Sequence, residues 1–289
     1  MASAAASNSS TRDRNEFFDA DFKEDFNQGM LRMLSQGSSN DVRIILSDGE
    51  ITANKDVLAV QCECFAANFR WKKETKDDFD HIDNRDCSKK VMERIIKFLF
   101  TGTIRFKDLG ILQLVELLNQ VKKLLLCGNL QFLIKSYIKD DVLSLETLQN
   151  KNNQNSNMFI DVIRGLHYVD RYALDCVKSS MIRGLGALLN KFSRDNEAIS
   201  AFSILPCHIV EELFSRWSRL SRKKASPRIQ TLIGSAQFRC LLALCNQNKD
   251  LSQEDKKKIL ETIDLDSLSG ADLFQLVKAS GLFPRCTFV

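Results

Sequence analysis

The sequence predicts an α+β domain followed by an all-helical one, and three observations predict it. Segments with β-branched alternation occur only before about residue 106, and helical apolar spacing dominates beyond it. An amide-rich run, Asn150-Lys-Asn-Asn-Gln-Asn-Ser-Asn157, reads as a linker between the halves. The length, 289 residues, is near two typical domain lengths. The expected division is a disordered tail over 1–14, a first domain over 15–140, a linker over 141–157 and a helical region over 158–289.

The elements follow in order. Residues 1 to about 13 are rich in Ala, Ser and Asn, the composition of a disordered tail. Phe18, Phe22, Phe26, Met30, Met33 and Leu34 then recur at three- and four-residue steps, one apolar stripe of an amphipathic helix that Gly37 stops. A helix so apolar has to pack on its own domain or on a second copy. Asp41-Val-Arg-Ile-Ile-Leu46 alternates as a strand, Ser47-Asp-Gly49 turns, and Ile51 to Lys55 returns. Val57 to Phe69 has helical spacing, Lys72 to Asp80 is a charged loop, and Phe79-Asp-His-Ile82 is a short strand. Val91 to Phe100 carries a strong helical stripe closed by Thr101-Gly102; Thr103 to Phe106 is β-prone, and Asp108 is placed to cap the next helix. Two more apolar helices reach about Lys139.

Beyond the linker, Met158 to Tyr168, Ala173 to Leu189 and Cys207 to Trp217 read as helices. Ser252 with Asp255, and Ser269 with Asp272, are weak capping-box matches, and Gly281 suits the stop of the last helix.

Composition removes several classes of function. The chain is 44% hydrophobic and 27% charged, ordinary for a folded soluble protein. Twelve glycines and three prolines are too few for a collagen-like, low-complexity or propeller chain. A net charge of +4 is too mild to indicate nucleic acid or a membrane as a partner. The apolar stretch Leu109 to Leu118 is interrupted by Gln113 and Glu116, so it is no membrane span, and neither a secretory signal nor a lipidation motif is visible. Nine cysteines, odd in number and scattered, read as reduced thiols of a cytosolic or nuclear protein.

No catalytic, cofactor or metal motif stands out. Cys62-Glu-Cys64 with His81 has a possible zinc spacing but lacks a second pair, and the other reading is two buried structural thiols. Gly184-Leu-Gly186 lacks the third glycine and the acidic residue of a dinucleotide site. His167 and His208 sit in helices without a convincing Cys or Ser partner, so the chain is expected not to be an enzyme. The basic run Arg216, Arg219, Arg222, Lys223, Lys224 and Arg228 has two readings: a solvated helix end running into a loop, or a localisation or nucleic-acid segment.

From about Asn15 to Lys139 the order of pieces resembles a BTB/POZ domain. The residues are Asp41-Val-Arg-Ile44, Asp48-Gly49, Ala53-Asn-Lys-Asp-Val-Leu-Ala59, Cys64-Phe65, Phe69, Phe98-Leu-Phe-Thr-Gly102, and Leu124, Leu126, Leu130 and Tyr137-Ile138. Asn54 stands where the family usually has histidine, and Cys62 and Cys64 replace the usual serine and tyrosine; asparagine still offers a hydrogen-bonding side chain there. Tyr168, Tyr172, Leu174, Cys176, Leu205-Pro206 and Ile209 to Phe214, with the run from Ile263 to Phe283, resemble the helical BACK extension that follows many such domains.

The resemblance implies a homodimer through the first helix, with Phe18, Phe22, Phe26 and Met30 at the interface. It also implies an adaptor that brings a substrate protein to a cullin-3 ubiquitin ligase. Many such adaptors present a hydrophobic residue two before a glutamate; here Glu74 is present, Lys72 takes the hydrophobic place, and Phe69 or Trp71 is the substitute. The other readings are an oligomerisation scaffold without a ligase, and a nuclear regulator whose basic run lies near nucleic acid.

Overall fold

Two aspartates that bracket the first strand set the frame of the N-terminal half. The computed structural model describes residues 27–37, 40–71, 80–126, 128–144, 156–192, 195–224, 227–247 and 251–263, with 268, 270, 271 and 274. These form two units: one runs to Asp108 and takes in Gln120–Gln131, the other holds Leu109–Asn119 and the residues from Phe132 on.

In the first unit, a helix over 27–36 (α1) ends where Gly37 takes a positive φ of 64°, the conformation that favours glycine at a helix stop. Strands β1 (Val42–Leu46) and β2 (Gly49–Ala53) pair antiparallel around the Ser47-Asp48 turn, and β3 (Asp80–Asp83) joins β1 in parallel, giving the order β2-β1-β3. Val42, Ile44 and Leu46 are buried and the residues between them are not, as the period of two requires. Asp41 accepts a hydrogen bond from the Lys55 N–H at 2.7 Å, and Asp48 accepts one from the Lys89 N–H at 2.6 Å. Each carboxylate thus satisfies an orphan donor in the first turn of a helix, α2 (Lys55–Gln61) or α4 (Lys89–Thr101).

Four expectations for this unit need correction. The second strand stops at Ala53, because Asn54 turns to cap α2 and accepts from the Val57 N–H at 2.9 Å. The helix expected over Val57 to Phe69 is two helices, α2 and α3 (Glu63–Trp71), broken where Cys62 is extended at φ −145° and ψ 113°. Thr103 to Phe106 forms no strand: the Thr101 hydroxyl accepts the Thr103 N–H at 3.2 Å and meets the Thr103 hydroxyl at 2.9 Å, drawing the chain back onto the end of α4. Asp108 caps nothing; its carboxylate pairs with Arg94, and its carbonyl accepts from Lys90 at 2.7 Å. The start of α5 (Ile111–Lys123) is served instead by Gln113, whose Oε1 accepts the Gly110 N–H at 3.1 Å.

Helices α5 and α6 (Gly128–Ser136) each contribute to both units, and α6 runs on into a π-helical turn, Tyr137–Val142. The second unit continues with α7 (Ser156–Arg171), α8 (Asp175–Phe192), α9 (Asn196–Ser200) with a 3-10 turn at Ala201–Ile204, α10 (Cys207–Lys224), α11 (Pro227–Gln247) and α12 (Gln253–Glu261). Its core centres on Phe159, Phe202, Phe214 and Trp217, each nearly or fully buried, with the Phe202 and Trp217 rings edge-to-face at 6.0 Å. Asp195 caps α9 through the Glu197 and Ala198 N–H groups at 3.0 and 3.2 Å. The expected cap at Ser252 forms, its hydroxyl accepting the Asp255 N–H at 3.0 Å. Ser269, Asp272 and Gly281 lie outside the described residues.

Candidate interaction surfaces

Of the expected self-association stripe, Phe18, Phe22 and Phe26 lie outside the described residues, while Met30 is on α1. There Met30, Leu31, Met33 and Leu34 are half-buried, and only Asn27 is buried. Clefts border the helix along its length. One of about 540 Å³ is walled by Asn27, Gln61, Phe98, Gly102 and Leu124 to Leu126; one of about 330 Å³ lies among Leu31, Arg94, Lys97, Thr103 and Arg105. A third, of about 460 Å³, runs from Leu34 past Ile51 to Ile96. The apolar side of the described part of α1, Met30, Leu31, Met33 and Leu34, is therefore incompletely covered. Val60 on α2 and Leu125 after α5 are 81% and 77% exposed, and Leu125 shares a cleft with Asn27 of α1.

The second candidate surface is the end of α3. Phe69 and Trp71 are two residues apart on a helix and so face different ways. Phe69 is half-buried, stacks on Phe65 at 6.4 Å and lies under the Lys55 ammonium at 5.3 Å, so its ring is engaged within its own unit. Trp71, the last residue of the helix, is 87% exposed. Lys72, Lys73 and Glu74 lie outside the described residues.

The basic run divides in two. Arg216 is bound to Glu212 at 2.7 Å, and Arg219 donates to the Ser215 carbonyl at 3.2 Å, both along α10. Arg222, Lys223 and Lys224 fall in the last turn of that helix, where its dipole favours cations, and Arg228 is in the first turn of α11; the side chains of these four are not described.

The thiols and histidines differ in their surroundings. Cys62 and Cys64 donate to the main-chain carbonyls of Leu124 and Lys123 at 3.4 and 3.6 Å. Burial, and next the neighbouring Cys62, push the Cys64 thiol above its ordinary value; burial does the same to Cys207, Cys240 and Cys245. No group of three His, Cys, Asp or Glu side chains suited to a metal occurs among the described residues. His208 pairs with Asp170 at 2.9 Å, whereas the Nδ1 atoms of His81 and His167 are buried without a hydrogen-bond partner among the described residues. Gly186 answers to packing, with a Cβ there falling 2.9 Å from Trp217 Nε1. No helix of the described residues is long and apolar enough to cross a membrane.

Sequence reasoning missed two features: the helix break at Cys62 that places two thiols on the end of α5, and the exposed Leu125 in that same turn. The positive φ of Leu125, 52°, has no signal in a leucine.

Comparison with known proteins identifies one domain. Residues 30–140 match the model of the BTB/POZ domain. Among solved structures, the BTB (Tramtrack and Bric a brac) domain of human Gigaxonin aligns at 21% identity over 47% of this chain and 98% of that one, with a TM-score of 0.28. No curated protein matches the chain. The small sheet flanked by helices is thus a BTB fold, followed by a mostly helical region.

Proposed function

We propose, from the premise that residues 30–140 are a BTB/POZ domain, that the chain is a non-catalytic adaptor that pairs with a second copy and carries a partner to a cullin-3 ubiquitin ligase. The observation that carries the ligase half is Trp71, a large aromatic left 87% exposed at the end of α3, just ahead of Glu74. Self-association is supported by the incompletely covered apolar side of α1, whose stripe continues upstream as Phe26, Phe22 and Phe18. In this reading residues 15–140 form the interaction domain, and the helical region from 158 onward, beyond the linker over 141–157, holds the substrate protein. The chain acts in the cytoplasm or nucleus.

Calorimetric titration of the full chain with the N-terminal region of cullin-3 tests the ligase half. Trp71→Ala is expected to weaken binding roughly thirtyfold, the loss of about 2 kcal/mol at an aromatic anchor, and Glu74→Ala to weaken it less. No heat from the wild type at high micromolar concentration would leave an oligomerisation scaffold without a ligase. Light scattering tests self-association: replacing Phe18, Phe22 and Phe26 by Asp is expected to turn a dimer into a monomer, and a wild type that is already monomeric at roughly tens of micromolar would end that half of the reading.

A further inference from the structure

The end of α5 accounts for its carbonyls in an unusual way. Helices leave their last carbonyls without partners inside the helix. Here the Leu126 N–H bonds the Val121 carbonyl at 3.0 Å and the Leu125 N–H bonds the Lys122 carbonyl at 3.2 Å, the pattern that normally places glycine at the left-handed residue. That residue is Leu125, at φ 52°. The next two carbonyls, Lys123 and Leu124, accept the thiols of Cys64 and Cys62. Two side chains from the α2–α3 corner thus close off the end of a helix some sixty residues away, next to a strained turn.

The two thiols are also next to one another. Cys62 is extended at the corner and Cys64 lies one residue inside α3, so their Cα atoms are at most about 7 Å apart, at the upper edge of disulfide reach. Cys62 is buried and Cys64 is half-exposed. We propose that Cys62 and Cys64 are a thiol–disulfide modification site, taking a hydroperoxide as oxidant, whose closure loosens the turn at Leu125.

The chemistry balances with that oxidant alone. The accessible Cys64, as thiolate, attacks the hydroperoxide; the O–O bond breaks, an alcohol or water leaves, and a sulfenic acid remains on Cys64. The Cys62 sulfur then attacks the Cys64 sulfur, the S–S bond forms and hydroxide leaves as water. Two thiols give up two hydrogens and two electrons, and the hydroperoxide takes them. Because burial and Cys62 hold the Cys64 thiol protonated, the first step quickens as the pH rises. The disulfide has no S–H, so the Lys123 and Leu124 carbonyls lose their two thiol donors, and the left-handed Leu125 is held by the main-chain bonds to Val121 and Lys122 without them.

The test treats the full chain, reduced, with hydrogen peroxide, alkylates the remaining thiols, and maps the peptides in parallel with amide hydrogen exchange. The expected result is a peptide containing Cys62 and Cys64 that has lost two hydrogens and carries no alkyl group. The Leu125 and Leu126 amides should exchange about tenfold faster, and dithiothreitol should reverse both changes. Cys64→Ser keeps a hydroxyl donor for the Lys123 carbonyl, so its turn should exchange like the reduced wild type before peroxide and stay unchanged after it. Full alkylation of both cysteines after excess peroxide would overturn the proposal, as would a disulfide that leaves turn exchange unaltered. Both readouts are independent of oligomeric state and of cullin-3, so they fail or hold apart from the adaptor reading.

Discussion

Asp48, at the tip of the β1–β2 hairpin, holds the first turn of α4 through the Lys89 N–H, forty-one residues along the chain, at 2.6 Å. Ser88, in the N-cap position of that helix, makes no side-chain cap bond, so the cap is supplied from a distance. Asp48→Ala is expected to destabilise the protein by about 1 kcal/mol, the usual cost of a lost cap, and Asp48→Asn by a few tenths, because the amide oxygen still accepts. Urea unfolding of the three proteins checks this. Equal losses for both variants would assign the residue's role to charge instead of the hydrogen bond.

Gly186→Ala should destabilise despite alanine's better helix propensity, worth about 1 kcal/mol. The new methyl would meet the Trp217 indole, which is buried and cannot swing aside because Phe202 and Phe214 lie within 6.0 and 5.8 Å of it. A net loss of about 1–2 kcal/mol is expected. Thermal unfolding of Gly186→Ala, Trp217→Phe and the double variant should show a loss in the double smaller than the sum of the singles.

Ala173→Gly should stabilise. Ala173 has φ 50° in the α7–α8 turn, where its N–H bonds the Asp170 carbonyl at 3.2 Å and the Leu174 N–H bonds the Val169 carbonyl at 2.9 Å. A left-handed alanine costs roughly 1–2 kcal/mol, and the greater freedom of glycine in the unfolded chain returns part of that, leaving a gain of about 0.5–1 kcal/mol. A lowered melting temperature would count against this account of the turn.

Glu212 ties stability to pH. Burial pushes its carboxyl up, but the Lys178 ammonium at 3.0 Å and then Arg216 outweigh burial and hold it below its ordinary value of 4.5. A carboxylate with a depressed folded value contributes stability above its unfolded value and loses it as the pH falls through the folded one. Glu212→Gln should therefore be less stable than wild type at pH 7, with the gap closing as the pH falls below 4.5. A gap that is the same at both ends of that range would assign the loss to packing.

The strands and the strongly striped helices were legible because one face of each is buried. Val42, Ile44 and Leu46 alternate, and Val91, Met92, Ile95, Ile96, Leu99 and Phe100 share one side of α4. Helix α11 was not singled out, for the opposite reason. Ala236, Gln237, Phe238, Cys240, Leu241 and Leu244 are buried on several sides, so no single stripe appears. The break at Cys62 and the fate of Asp108 were hidden because their partners, the Leu124 carbonyl and Arg94, are distant or have no local pattern. For the candidate surfaces, residue types at the end of α3 were legible, but which of two aromatics faces solvent was not. Phe69 is drawn inward by Phe65 and Lys55, contacts that sequence spacing does not settle.

The mixed pairing of the sheet also bears on the order in which the chain folds. β1 and β2 meet across a two-residue turn, a pairing that needs little loop closure and forms within about 1–10 μs. The parallel partner, β3, begins thirty-eight residues after Val42, its register mate, so its pairing has to close a far longer loop. Until it does, one edge of the new hairpin lies open, and Ile44 lacks its neighbour Ile82. Of the two pairings, the arrival of this four-residue strand carries the larger loop-closure cost, and while it is awaited the open edge is a place where nascent chains can stick to one another.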